Sequence, residues 1–181
     1  MGVELEYKYL INKFPEFGEL NYNKVNIVQH YCILNDEQKQ KLYNLFNIQS
    51  EMDVFRVRKI TTEKQINYIL TLKSKGLISR EEYECDIDEN MFLELSSSIE
   101  STIIKNRYTL KIDKYKFEFD EYLNLGIDLK TVEVELNNAD ELDRDIMNIE
   151  SILKNELLLE IEDITTNIKY KNSNLYKYFK K

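Results

Sequence analysis

The residues of this chain that could do chemistry come in alternation. Residues 4–8 read Glu-Leu-Glu-Tyr-Lys, and the spacing returns in Arg56-Val57-Arg58, Lys73-Ser74-Lys75, Arg80-Glu81-Glu82-Tyr83-Glu84, Lys105-Asn106-Arg107, Glu118-Phe119-Asp120 and Glu133-Val134-Glu135. Successive side chains of a strand point to opposite faces, so each set projects from one face. Carboxylates at i and i+2 have Cα atoms roughly 6.6 Å apart, close enough for flexible Glu side chains to converge on one hard cation. Mg²⁺ and Mn²⁺ prefer such oxygen donors, keep several waters and bridge carboxylates to phosphate. Glu4/Glu6, Glu133/Glu135 and Glu82/Glu84 are the best pairs. The basic sets complement them, because Arg forks grip phosphate oxygens and Lys adds point charge. Five or more cations in one cavity suit a ligand with several linked phosphates better than a single phosphate.

The elements that must position these residues are mostly strands. Period-2 patterning predicts strands near 3–11, 25–34, 53–60, 66–74, 79–86, 103–112, 115–122 and 130–137, with Val, Ile, Tyr and Phe alternating away from the charges. The connections at 61–65 and 113–114 are short enough for antiparallel hairpins. Eight antiparallel strands can close into a barrel and so remove their edges. Helical spacing takes over at 35–47, at 88–99 with Asp88 as N-cap and at 139–159, and the tail 164–179 reads as a final helix or a pair of short turns. The expected fold class is therefore α+β, an eight-stranded antiparallel β-barrel with helices packed outside. If every alternating charge faces inward, sixteen ionic residues share one bore: the sets above, with Lys8 included. A dry core would pay several kcal/mol for each uncompensated ion, so the bore must be wet and its charges balanced by metal ions and ligand.

Composition narrows the class. With 181 residues, 43% hydrophobic and 32% charged, the chain is expected to be one soluble globular domain, 1–181. A net charge of −8 disfavours a nucleic-acid partner. No apolar run approaches the roughly 20 residues of a membrane span, so no membrane partner is expected. The charged opening argues against a signal peptide. Cys32 and Cys85 have no metal-ligand spacing and are expected to stay reduced in the cytoplasm. A single histidine, His30, rules out His-rich metal clusters and leaves no Ser/His/Asp triad. No Gly-rich phosphate loop occurs. The sequence carries no signature of oligomeric state.

In chain order these motifs resemble those of the CYTH superfamily, the triphosphate tunnel metalloenzymes. Glu4-x-Glu6-x-Lys8 is similar to that family's N-terminal motif. It is followed by Gln29-His30-Tyr31, Arg56-Val57-Arg58, Leu70-Thr71-Leu72-Lys73, Arg80 to Glu84, Lys105 to Tyr108, Asp120, Val132 to Glu135 and Lys169 to Ser173. The resemblance covers essentially the whole chain. It implies a triphosphate tunnel with a C-terminal helix at the bore, and metal-dependent hydrolysis or rearrangement of triphosphates. By position it assigns Mg²⁺ or Mn²⁺ to Glu4, Glu6, Glu133 and Glu135, with Glu82, Glu84 and Asp120 as further ligands. Phosphate binding falls to Lys8, Arg56, Arg58, Lys73 and Arg107, then to Lys75, Arg80, Lys105 and, from the tail, Lys169 and Tyr170.

The resulting expectation is hydrolysis of inorganic tripolyphosphate to diphosphate and phosphate, since nothing marks a base-recognition pocket. Thiamine or nucleoside triphosphate hydrolysis and class IV adenylate cyclase chemistry use the same tunnel. A non-catalytic polyphosphate or nucleotide binder is the alternative of a different class, although a pure anion receptor gains nothing from paired carboxylates. His30 is expected to face the helices rather than the bore.

Overall fold

The structure, a computed structural model, describes residues 2–18, 20–75, 79–136 and 142–180, without the side chains of residues 2–5, 79 and 80. Nine strands stand among them: β1 (Gly2–Ile11), β2 (Tyr22–Cys32), β3 (Val54–Thr61), β4 (Ile66–Lys73), β5 (Ser79–Ile87), β6 (Ile99–Ile112), β7 (Tyr115–Tyr122), β8 (Lys130–Leu136) and β9 (Ile161–Asp163). They form one antiparallel sheet in the order β5-β4-β3-β2-β6-β7-β8-β1-β9. The first half of β1 also pairs with β5, with Gly2 opposite Glu82 and Glu4 opposite Arg80. The second half of β1 pairs with β8 on one side and with β9 on the other.

Alternation sorts the side chains as the pattern predicts. On β1, Tyr7 and Tyr9 go to one face while Lys8, between them, goes to the other. Tyr7 and Tyr9 join Phe117, Phe119, Val132 and Val134 in a core covered by Ile149, Ile152 and Leu153. A second core packs Phe55, Val57, Leu70 and Leu72 against Leu42, Phe92 and Leu95. These residues come from α1 (Asp36–Phe46), α2 (Glu89–Ser96), α3 (Leu142–Ser151) and the turn that follows α3. Burying each such side chain contributes roughly 1.5–3 kcal/mol. The oily layers thus lie between one face of the sheet and its helices, which leaves the opposite face to the ions.

Local chemistry sets the helix ends. Asn35 Oδ1 accepts from the Gln38 amide at 2.9 Å, and Gln38 Oε1 accepts from the Asn35 amide at 3.0 Å, a reciprocal cap at the start of α1. Asn47 closes α1 in the left-handed conformation, φ 51°. Asp88 caps α2 as expected, accepting from the Met91 amide at 2.7 Å.

Two elements differ from expectation, and the tail, open between one helix and two short turns, takes a form between them. The helix over 139–159 is not continuous: α3 gives way to a π turn at Ile152–Glu156, closed by a Leu157 amide bond to the Ile152 carbonyl. Residues 137–141, where the eighth strand was expected to end and this helix to begin, lie outside the described residues. The tail splits into a 3-10 turn, Ile168–Tyr170, and α4, Asn172–Phe179. Strand β9 carries too few residues to show a period, and its partner β1 is what makes it a strand. The sheet therefore has nine strands rather than eight.

Helix α4 lies on the ionic face. Its Leu175 is fully buried with Tyr31, Ile103, Tyr122, Leu125 and Leu129. It is the only described helix whose packing residues come from the inward phase of the strands.

Candidate active site

Lys8 on β1 sits directly opposite Glu133 on β8, and its Nζ lies 2.9 Å from Glu133 Oε1. Arg107 on β6 faces Asp120 on β7. Its Nε and Nη2 donate to the two Asp120 oxygens at 2.7 and 2.6 Å, the paired geometry that only a guanidinium offers. Arg107 also reaches Glu118 and Glu133, and Lys105 Nζ donates to Asp120 Oδ2 at 2.5 Å. One continuous bank of charge results, running from Lys8 through Glu133, Arg107 and Asp120 to Lys105.

A second bank spans β3, β4 and β5. Arg56 and Arg58 donate to Thr71 Oγ1 at 3.2 and 3.3 Å. Arg58 pairs with Glu84, and Lys73 with Glu82 at 3.1 Å. Arg58 Nε is buried with no hydrogen-bond partner among the described residues. Both banks line one cavity of about 500 Å³ whose wall carries eight cationic and six carboxylate side chains. That volume falls within the roughly 300–1,000 Å³ of small-molecule sites. A chain of net charge −8 therefore presents a basic interior.

The electrostatics follow from burial and pairing. Burial alone would raise the Glu133 pKa, but Lys8, Lys105 and Arg107 together hold it well below the ordinary carboxylate range. Burial opposes charge on Lys8 too, and Glu133, Tyr122 and Glu6 together outweigh it, so the ammonium binds its proton more tightly than usual. Arg107 is likewise held charged, against burial, by Asp120, Glu118 and Glu133. Lys105 goes the other way: burial, then the neighbouring Arg107 charge, push its pKa down to about 8. Burial and the Arg56 charge bring Arg58 down to about 10.

The sequence pattern called for a wet bore balanced by metal and ligand; in the structure these charges pair with one another. This arrangement suits exchange. Phosphate oxygens can take over the cations while a divalent cation takes over the carboxylates, so no buried charge is stranded at any stage. The donor set fits such a cation. Glu6 on β1 stands directly opposite Glu135 on β8, and both line the cavity. Like charges so placed repel, and a shared cation turns that repulsion into attraction. Among the described residues no three His, Cys, Asp or Glu side chains converge in a metal-binding group, and two opposed carboxylates with waters and phosphate oxygens suit a hard divalent cation.

The chain is 33% identical, over 76% of its length and 78% of the relative's, to an inorganic triphosphatase from Nitrosomonas europaea. It superposes on a crystal structure of an inorganic triphosphatase with a TM-score of 0.57 at 25% identity, covering 97% of this chain and 95% of that one. The chain belongs to the CYTH superfamily. No family model matches it. The CYTH fold extends to a Hippeastrum protein, assigned as an adenylyl cyclase and having a dominant triphosphatase activity, at a TM-score of 0.61 and 12% identity over 98% of this chain and 97% of that one.

Of the CYTH motif residues, Glu6, Lys8, Arg56, Arg58, Lys73, Glu82, Glu84, Lys105, Arg107, Glu133 and Glu135 all line the cavity. The side chains of Glu4 and Arg80 lie outside the described residues. Three of the expected residues are not on the cavity wall. Asp120 is fully buried behind the wall, where both its oxygens accept from Arg107 and one also from Lys105. Lys75 is exposed and off the cavity, because β4 ends at Lys73 and alternation no longer directs it. Lys169 is also off the cavity, its Nζ lying 4.7 Å from the Phe179 ring centre and 5.3 Å from that of Tyr170.

Tyr170, expected from the tail, does line the cavity, and the tail adds Thr165, Lys171, Asn172 and Ser173. Gln29 and Tyr31 also line the bore, with Gln29 Nε2 donating to the Tyr31 hydroxyl at 3.1 Å. Polar groups at two alternate positions of β2 were the available signal for them. Thr71 was legible in the same way, as a hydroxyl on the inward phase of β4. His30 points to the other face, against Phe92, with Nδ1 2.9 Å from Thr102 Oγ1.

Proposed function

We propose that this chain hydrolyses inorganic tripolyphosphate to diphosphate and phosphate with Mg²⁺ or Mn²⁺, in a tunnel closed by the ring of pairings from β1 through β8. The observation that carries this reading is the pair of cationic banks around one 500 Å³ cavity, lined beside them by the opposed carboxylates Glu6 and Glu135. The Nitrosomonas relative, an inorganic triphosphatase, supports it. One domain in the cytoplasm, where Cys32 and Cys85 stay as free thiols, completes the proposal.

In this reading Arg56, Arg58, Lys73, Lys105, Arg107 and Lys8 grip the oxygens of the linked phosphates and hold the chain in line. Glu4, Glu6, Glu135 and Glu133 hold the divalent cation. When bound, that cation neutralises phosphate charge and makes water a better nucleophile. Water attacks a terminal phosphorus, the P–O bond to the bridging oxygen breaks, and diphosphate carries away the electron pair. Arg107 and Arg58 stabilise the charge that builds on the oxygens in that transition.

The test is a substrate panel with Mg²⁺ or Mn²⁺, comparing tripolyphosphate, ATP and thiamine triphosphate. Tripolyphosphate should be preferred, giving phosphate and diphosphate in equal amounts with no cyclic AMP from ATP. Cyclic AMP release, preference for an organic triphosphate, or no turnover would overturn the reading.

Lys105 makes binding pH-dependent. Its ammonium is charged below its pKa of about 8 and neutral above it, whereas a free lysine stays charged to about 10.4. Affinity for tripolyphosphate should therefore weaken as pH rises from 8 to 10. Lys105→Arg, which stays charged throughout, should remove this part of the fall. Calorimetric affinities across that range check the difference, and parallel profiles for the two proteins would refute it.

A further inference from the structure

The charged bank ends on a residue from α4. Asn172 Oδ1 accepts from Lys8 Nζ at 3.0 Å and from the Tyr122 hydroxyl at 2.7 Å, while Asn172 Nδ2 donates to Glu133 Oε1 at 3.0 Å. Tyr122 in turn accepts from Lys8 Nζ at 3.2 Å and lies 3.3 Å from Thr131 Oγ1. The three hydrogens of the Lys8 ammonium are thus matched by Glu133, Tyr122 and Asn172. These contacts fix the amide orientation of Asn172: its oxygen faces the two donors and its nitrogen faces the carboxylate.

The backbone of Lys8 is held by the same tail. Its amide donates to Thr165 Oγ1 at 3.0 Å, and its carbonyl accepts from the Ile164 amide at 3.0 Å. Strand β9 pairs with the residues just after it, Tyr9 to Ile11. Lys8 is therefore tied to the C-terminal segment at three points, and Asn172 is the only one of them that touches the ammonium and its counter-ion together. Leu175, one turn further along α4, is fully buried, so the helix has little freedom to carry Asn172 away.

We propose that Asn172 is a positioning residue: it aims the Lys8 ammonium and the Glu133 carboxylate from the floor of the cavity, and it couples the seating of α4 to anion binding. Lys8 can reach a phosphate oxygen only by sharing or releasing one of its three acceptors. Two of the three are neutral, Tyr122 on the sheet and Asn172 on α4, and Asn172 keeps the ammonium at the cavity wall when Glu133 turns away. The chemistry that recognises this arrangement is a polyphosphate oxygen arriving beside Lys8, so the inference rests on the function proposed above.

The test is a double-mutant cycle on tripolyphosphate affinity, measured by calorimetry without divalent cation. The proteins are wild type, Asn172→Ala, Lys8→Met and the double variant. Asn172→Ala should weaken binding about tenfold in the wild-type background and by less than about twofold beside Lys8→Met, because its effect runs through Lys8. Equal losses in the two backgrounds, or no loss in either, would overturn the proposal. Should Asn172→Ala fail to fold, Asn172→Ser, which keeps a small polar side chain but cannot span both Lys8 and Glu133, takes its place in the same cycle. Binding is read here without turnover, so a wild type that binds tripolyphosphate but never cleaves it would remove the function and leave this inference standing.

Discussion

Glu133→Gln should lose turnover by at least about a hundredfold, because the change removes both a proposed cation ligand and the group that pairs with Lys8 and Arg107. It should also destabilise the ligand-free chain by about 3–5 kcal/mol, since three buried cations lose the carboxylate they share. The deficit is full above about pH 4.3, the ordinary glutamate value, and narrows as acid titrates wild-type Glu133. Its pKa is depressed in the folded state, so its stabilisation is present above that value and lost as pH falls toward the folded one. Metal-free tripolyphosphate should bind this variant more tightly than wild type, because Lys8 and Arg107 no longer have an internal anion to satisfy. Chemical denaturation, phosphate release and calorimetry read the three effects. Wild-type stability with wild-type turnover would show that Glu133 is a bystander.

Alternation is why so much of this site was legible beforehand. A charged residue between two tyrosines, as Lys8 is between Tyr7 and Tyr9, has only one face available when the tyrosines are buried. The same logic located Arg56, Arg58, Lys105, Arg107, Glu133 and Glu135 without any knowledge of pairing. It failed where the strand stopped. Lys75 lies beyond the end of β4, and Lys169 sits on a 3-10 turn whose direction depends on how the tail docks.

Asp120 shows a different limit. Period 2 put it on the inward face correctly, but depth within that face depends on its neighbours, and Lys105 and Arg107 close over it. Asn172 gave no periodic signal. It matters because β9 and α4 bring the tail back to Lys8, across a sequence separation of 164 residues. The ninth strand and the π turn after α3 were likewise decided by packing partners far away in sequence, which local propensity does not encode.

Arg107 carries the second large effect. Its side chain touches Glu118, Asp120 and Glu133 together. Arg107→Lys keeps the charge but loses the fork that grips both Asp120 oxygens, so it should cost about ten- to a hundredfold in kcat/KM. Arg107→Ala leaves three carboxylates around an empty space and should lose about 3–5 kcal/mol of stability as well. High salt should rescue little of that loss, because the group is buried and poorly screened. Steady-state kinetics on the lysine variant and denaturant melts on the alanine variant separate the two roles. Wild-type kcat/KM in Arg107→Lys would mean that the paired geometry is dispensable.

The most direct test of the account is a crystal structure of the protein with tripolyphosphate, grown without divalent cation. The account predicts the three linked phosphates inside the cavity, with oxygens within hydrogen-bond distance of Arg56, Arg58, Arg107 and Lys8, and Lys8 drawn off Glu133. Tripolyphosphate seated on the outer surface, with the Lys8–Glu133 and Arg107–Asp120 pairs intact around an unfilled cavity at saturating anion, would contradict it.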